Sequence, residues 1–344
     1  MKRLLSFFLL AVAALSSATA QRPQFDKNYP DVHDPVLAQS EDGRYYIYST
    51  GFGVGVMSSA DLKEWRQEPS VFSAAPAWAV DTVPGFMGHV WAPDVSFHDG
   101  RWLLYYSCST FGKNGSAIGL ATNRTLDPHS PEFKWEDQGL VIASHKGRSN
   151  WNAIDPNLIT DAVTGRPYLV YGSFWDGLQI VSLARDYKTP TSKPRTIARR
   201  LDHHQELGDI HFTIENGRDT IEAGENAIEA PFMIYNNGYY YLFASWDYCC
   251  RGKNSTYKTV YGRSKSINGP FIDKEGRDMA VGGGTMLVGP TDRYFGRGHN
   301  SAYNLYGQWY FLCHAYDAEV GARAKIFLRK MYFDAEGWIS IADE

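Results

Sequence analysis

The chain has 344 residues, with 34 Lys and Arg against 38 Asp and Glu, so its net charge of −4 offers no basic excess to hold a nucleic acid. Apolar residues at 44% and charged residues at 21% describe a folded globular protein and exclude a disordered chain. Aromatic residues reach 15%, with 22 Tyr, 18 Phe and 10 Trp beside 32 Gly, which favours strands and tight turns over a helix bundle.

Lys2 and Arg3 precede an apolar run, Leu4 to Leu15, and the small residues Ala18-Thr19-Ala20. That order predicts a secretory signal peptide over residues 1–20 and a single domain over residues 21–344. The apolar run is shorter than the ~20 residues a bilayer span needs, and no later run approaches it, so no membrane partner is expected. Export permits disulfides. Cys249 and Cys250 are adjacent, which allows a vicinal disulfide or two free thiols. Cys108 and Cys313 sit in apolar strand-like text and read as small buried hydrophobes.

One phrase recurs five times: a Gly turn, then a run of aromatic and β-branched residues. The copies are GRYYIYST from Gly43, GRWLLYYS from Gly100, GRPYLVYGS from Gly165, GYYYLFAS from Gly238 and GQWYFLCH from Gly307. Asp42-Gly43, Asp99-Gly100 and Asn237-Gly238 are strong hairpin signals. A second strand-like run follows each copy. A period of roughly 65 residues with several strands per unit suits a propeller blade. Five copies predict an all-β, five-bladed β-propeller.

A polar residue stands shortly before each Gly turn. The motifs are His33-Asp34-Pro35, Ala92-Pro93-Asp94, Ile154-Asp155-Pro156, Glu229-Ala230-Pro231 and Gly298-His299-Asn300. At equivalent places on five innermost strands, Asp34, Asp94, Asp155, Glu229 and His299 would converge on the central channel. Crowded like charges destabilise a fold and drive pKa values apart, so such a cluster is usually kept for chemistry. Carboxylates with split pKa values are the apparatus of glycoside hydrolysis. Trp91, Phe111, Trp151, Phe174, Trp175 and Trp246 are candidates for stacking on sugar rings.

These motifs, together with Trp91-Ala92-Pro93-Asp94, Asn152-Ala153-Ile154-Asp155-Pro156 and Gly172-Ser173-Phe174-Trp175, resemble the signature of glycoside hydrolase family 43. Within it the chain is similar to the endo-1,5-α-L-arabinanases, supported by SAIGLATN from Ser116 and by the Cys249-Cys250 context. The resemblance implies single-displacement hydrolysis of arabinan with inversion by a secreted monomer. It implies Asp34 as general base, Glu229 as general acid and Asp155 as modulator of the acid's pKa. It assigns substrate binding to His33, Trp91, Asp94, Phe111, Gly112, Asn152, Ile154, Ser173, Phe174 and Trp175. His299 matches a residue near a channel metal, implying one Ca²⁺ held mostly by water. An exo-acting α-L-arabinofuranosidase or β-xylosidase stays open, as does a non-catalytic sugar-binding propeller. The polar insert over 201–225, with its His203-His204 pair, reads as a solvated loop. Asn114, Asn123 and Asn254 each begin an N-x-S/T triplet, a weak glycosylation signal.

Overall fold

The computed structural model describes residues 25–201, 212–215, 218–221 and 226–342. The predicted signal peptide and the His203-His204 pair lie outside the described residues.

Runs of aromatic and β-branched residues buried on both faces, separated by Gly turns, produce four-stranded antiparallel meanders. The first is β1 (Val36–Gln39), β2 (Tyr45–Ser49), β4 (Gly55–Ser59) and β5 (Arg66–Glu68). Between its second and third strands, β3 (Gly51–Phe52) crosses to pair with the next sheet. That sheet is β6 (His89–His98), β7 (Arg101–Cys108), β8 (Ser116–Asn123) and β9 (Glu136–Ser144), preceded by the short helix α1 (Ala77–Thr82). The third is β10 (Asn157–Thr160), β11 (Pro167–Tyr171), β12 (Leu178–Ser182) and β13 (Arg195–Ala198). A hairpin, β14 (Phe212–Glu215) with β15 (Arg218–Ile221), lies within the polar insert. The fourth is β16 (Ile228–Asn236), β17 (Tyr239–Trp246), β18 (Lys258–Ser264) and β19 (Thr285–Val288). The fifth is β20 (Tyr294–Leu305), β21 (Gln308–Asp317), β22 (Arg323–Phe333) and β23 (Ile339–Ile341). The last two touch through one parallel pair, Lys258 with Arg297.

Five apolar cores lie between neighbouring sheets and close the ring. Tyr46, Val90, Leu104 and Tyr106 fill the space between the first and second. Leu103, Tyr105, Leu169 and Tyr171 fill the next. Val170, Ile180, Leu242 and Val260 join the third and fourth, and Tyr241, Phe243, Phe311 and Phe327 the fourth and fifth. Leu312 packs with Leu37, Ile47 and Met57 to join the fifth to the first. Leu103 and Leu104 thus serve opposite neighbours, as successive strand side chains must. The five meanders and their shared cores form the expected five-bladed β-propeller. Each large side chain so buried contributes about 1.5–3 kcal/mol.

An N-terminal strap reinforces the closure. Val32 N–H donates to the Ala324 carbonyl at 3.0 Å, and Ile326 N–H donates to that of Pro30 at 3.2 Å. Lys325, only 2% exposed, donates from Nζ to the Tyr29 carbonyl at 2.6 Å and pairs with Asp31 at 2.9 Å. Arg323 also meets Asp31.

Two sequons are occupied structurally. Asn114 is buried and donates to the Ser149 carbonyl, while buried Asn123 accepts from Arg124 and Lys134 N–H. Cys108 and Cys313 are fully buried in the cores.

Candidate active site

On each first strand or just before it, one residue takes left-handed backbone torsions. These are Asp34 (φ 54°), Ala92 (41°), Asp155 (57°), Ala230 (56°) and His299 (53°). Non-glycine residues visit this region rarely, so each needs an outside hold. The hold comes from the preceding blade. Ala92 N–H donates to Thr50 Oγ1 at 2.8 Å, Asp155 N–H to Ser107 Oγ at 3.0 Å and His299 N–H to Ser245 Oγ at 2.8 Å. Asp34 N–H donates to His314 Nδ1 at 3.2 Å. At the fourth blade the corresponding hydroxyl, Ser173 Oγ, instead donates to Glu229 Oε2 at 2.8 Å, and Ala230 N–H is taken by Asp155 Oδ2 at 3.1 Å.

Three of the five equivalent places carry a titratable side chain: Asp34, Asp155 and His299. Glu229 stands one residue before its place and still joins them. Asp34, Asp155, Glu229 and His299 influence one another electrostatically within one channel. Asp94 is a correction to the sequence register. It lies two residues past Ala92, is 3% exposed, and accepts from Leu158 N–H at 2.8 Å and from Asn157 Nδ2 at 3.1 Å. It joins the second blade to the third and does not line the channel.

Asp34 Oδ1 faces three imidazoles: His33 Nδ1 at 2.8 Å, His299 Nδ1 at 3.1 Å and His314 Nδ1 at 3.5 Å. Thr50 Oγ1 donates to its Oδ2 at 2.5 Å. Burial opposes its charge, yet His299 and His33 hold the carboxyl well below the usual range, so Asp34 is ionised. Burial pushes Asp155 and Glu229 upward; the neighbouring carboxylates add to this, against hydrogen bonding and His299. His299 is desolvated, but Asp34 and Asp155 draw its pKa up to about 9. Burial beside His33 pushes His314 well below the usual imidazole range, which keeps its Nδ1 able to accept. Tyr257 packs under the cluster, and its close approach requires Gly298, where a Cβ would lie 2.2 Å from the ring.

The other expected residues spread from this centre. Trp91 is half-buried and donates from Nε1 to His89 Nδ1 at 2.8 Å. Phe111 is 78% exposed, followed by Gly112 at φ 71° in the turn after β7. Asn152 and Ile154 are buried, and Gly172 N–H donates to the Ile154 carbonyl. Phe174 and Trp175 both take left-handed torsions, and the Phe174 ring lies 5.7 Å from Tyr248. Trp151 packs edge-on against Tyr171 in a core, and Arg200 lies over Trp246 at 4.3 Å. Cys249 and Cys250 are joined as a disulfide at the same mouth, with Cys250 exposed. Thr50, Ser245, Tyr257, His314 and Tyr316 were missed by sequence reasoning. Three of them had a signal: Thr50, Ser245 and His314 each end a copy of the repeated phrase.

The resulting constellation pairs a deprotonated carboxylate with a carboxyl held toward its protonated form, in a propeller channel. This is the equipment of a glycoside hydrolase. The chain matches the model of glycosyl hydrolases family 43 over residues 29–339 and belongs to that family. Among its relatives, an extracellular exo-α-(1→5)-L-arabinofuranosidase of Cellvibrio japonicus is 43% identical over 91% of this chain and 87% of its own. An extracellular endo-α-(1→5)-L-arabinanase of Bacillus subtilis is 38% identical over 98% of both. The crystal structure of an exo-1,5-α-L-arabinanase from a bovine ruminal metagenomic library superposes with a TM-score of 0.85 at 54% identity, covering 94% of this chain and all of that one.

Proposed function

We propose that this chain hydrolyses α-1,5-linked L-arabinofuranosyl bonds of arabinan by single displacement with inversion. Asp34 takes a proton from the attacking water. Glu229 gives its proton to the leaving oxygen. Asp155 raises the pKa of Glu229 and, by accepting from Ala230 N–H, fixes the backbone beside it. The observation that carries this reading is the contrast within one cluster between Asp34, gripped by His33, His299 and Thr50 and pushed toward its ionised form, and Glu229, held by Ser173 beside Asp155 and pushed up by burial. The half-buried Trp91 and the exposed Phe111 offer apolar faces to a furanose.

The similarity to two relatives named as exo-acting, at 54% and 43% identity against 38% for the endo relative, supports attack from a chain end. The sequence resemblance, through SAIGLATN from Ser116 and the Cys249-Cys250 context, points instead to endo action. Chromatography of a time course on linear arabinan separates the two. A single short product from the earliest points is expected, whereas a ladder of oligomers overturns exo action. Binding without any cleavage overturns the enzymatic reading.

The resemblance puts the expected Ca²⁺ beside His299, which would have to give up the proton that Asp34 and Asp155 favour on it before it could ligate. Its Nδ1 is engaged with Asp34, leaving Nε2 as the nitrogen for an ion, and water would supply the oxygen ligands calcium prefers. A bound cation there would supply positive charge that favours ionised carboxylates. Residues 1–20 and the extracellular relatives support export. The five cores close the ring within one chain, which supports action as a monomer.

A further inference from the structure

The Cys249–Cys250 disulfide has no place in the proposed chemistry, yet its backbone is the first member of a hydrogen-bond chain that ends on Asp34. Cys250 N–H donates to Tyr316 Oη at 2.9 Å. Tyr316 Oη stands 2.8 Å from His33 Nε2. His33 Nδ1 stands 2.8 Å from Asp34 Oδ1. The proton directions follow from the last bond. Read as the general base, Asp34 is a carboxylate and only accepts, so His33 Nδ1 carries the proton between them. In a neutral ring Nε2 is then bare and takes the Tyr316 hydroxyl proton, while Cys250 N–H occupies a lone pair of the same oxygen and aims it.

Each link is held by its surroundings. Cys250 has left-handed torsions, φ 67°, which the disulfide bond to its neighbour fixes in place. The loop is tied by Arg251 N–H to Ser255 Oγ at 3.0 Å, by Thr256 N–H to the Tyr248 carbonyl at 3.0 Å, and by Arg251 stacked over Tyr248 at 4.2 Å. Tyr316 fits because residue 296 is glycine: a Cβ there would lie 2.7 Å from both the Tyr316 ring and Ser255. The His33 ring stacks on His314 at 3.9 Å, which prevents it from turning edge-on.

The geometry points to Tyr316, aimed by the Cys249–Cys250 loop, as a positioning residue that fixes the His33 tautomer facing Asp34. This rests on reading Asp34 as the general base. Opening the disulfide frees the Cys250 torsions, and the N–H that orients Tyr316 loses its aim. With a dithiol as reductant, two electrons and two protons convert the bond to two thiols while the dithiol becomes a disulfide.

The test combines kinetics on arabinan oligosaccharides with imidazole ¹⁵N spectra of the full chain. In the wild type, His33 is expected to show a protonated Nδ1 and a bare Nε2; the opposite tautomer overturns the proposal. Tyr316→Phe is expected to lower kcat roughly tenfold, the scale of one lost hydrogen bond to a charged network, with KM within twofold and the melting temperature nearly kept. Reduction, or the double change Cys249→Ser with Cys250→Ser, should lower kcat of the wild type by a similar factor. It should change Tyr316→Phe no further, because both act through one chain of bonds. Equal losses in both backgrounds overturn the proposal. A wild type that cleaves no arabinan yet shows the expected tautomer would count against the proposed function and not against this relation.

Discussion

The Asp34 N–H donates to His314 Nδ1 at 3.2 Å, and this bond closes a cycle of holds running from blade to blade. Thr50, Ser107 and Ser245 hold the next blade through hydroxyls. Only at Asp34 is the holder an imidazole. The ring is thereby able to surround the base with nitrogen on several sides.

His314 is fully buried, so its removal leaves both a cavity and an unpaired N–H. His314→Ala is expected to cost about 2–4 kcal/mol in denaturant unfolding. His314→Asn, whose amide oxygen can stand near the position of Nδ1, should recover part of that loss. Equal stability of wild type and alanine variant would contradict the holding role.

Glu229 must be protonated to act, and burial raises its pKa, so activity is expected to fall as pH rises through that raised value. The Ser173 hydroxyl opposes the rise by stabilising the ionised form. Ser173→Ala should therefore move the basic limb of kcat to higher pH. Movement to lower pH would reverse the assignment.

Asp94 gives a separate signature, in stability and not in catalysis. Burial raises it from 3.8 to about 6, so the folded state binds its proton more tightly than the unfolded state. Its contribution is full below about pH 4 and is lost as pH rises through about 6, a change of up to about 3 kcal/mol. Asp94→Asn should flatten this part of the melting-temperature profile and leave kcat almost unchanged. Loss of kcat would return Asp94 to the channel.

His299→Ala or prolonged chelation is expected to reduce activity while the fold persists by circular dichroism. Elemental analysis should find one divalent ion per chain in the wild type and none in the variant. Equal metal content in both would refute His299 as the holder.

The fold was legible because its signals are local. Gly turns and strands such as GRWLLYYS announce themselves within eight letters, and their recurrence announces the ring. The acids were legible for a related reason, since they stand beside the same prolines. Aligning on those prolines would have corrected Asp94. Pro35, Pro93, Pro156 and Pro231 each follow the left-handed residue, which places Ala92 in the column and Asp94 outside it. His314 and Tyr316 were hidden because their partners come from another blade. In the text of β21 they are two more letters in a strand that reads as core.

The N-terminal strap decides where this chain tolerates being cut. A start anywhere before Tyr29 keeps both partners of Lys325. A start after Val32 removes the Tyr29 carbonyl, Asp31 and the Tyr29 ring that cover the Lys325 ammonium, together with the strap's two backbone bonds to the last blade. The other end finishes in β23, three residues at an outer edge. Trimming from the front should therefore loosen the join between the first and fifth blades, whereas loss of β23 should uncover Ile339 in the core between the fourth and fifth.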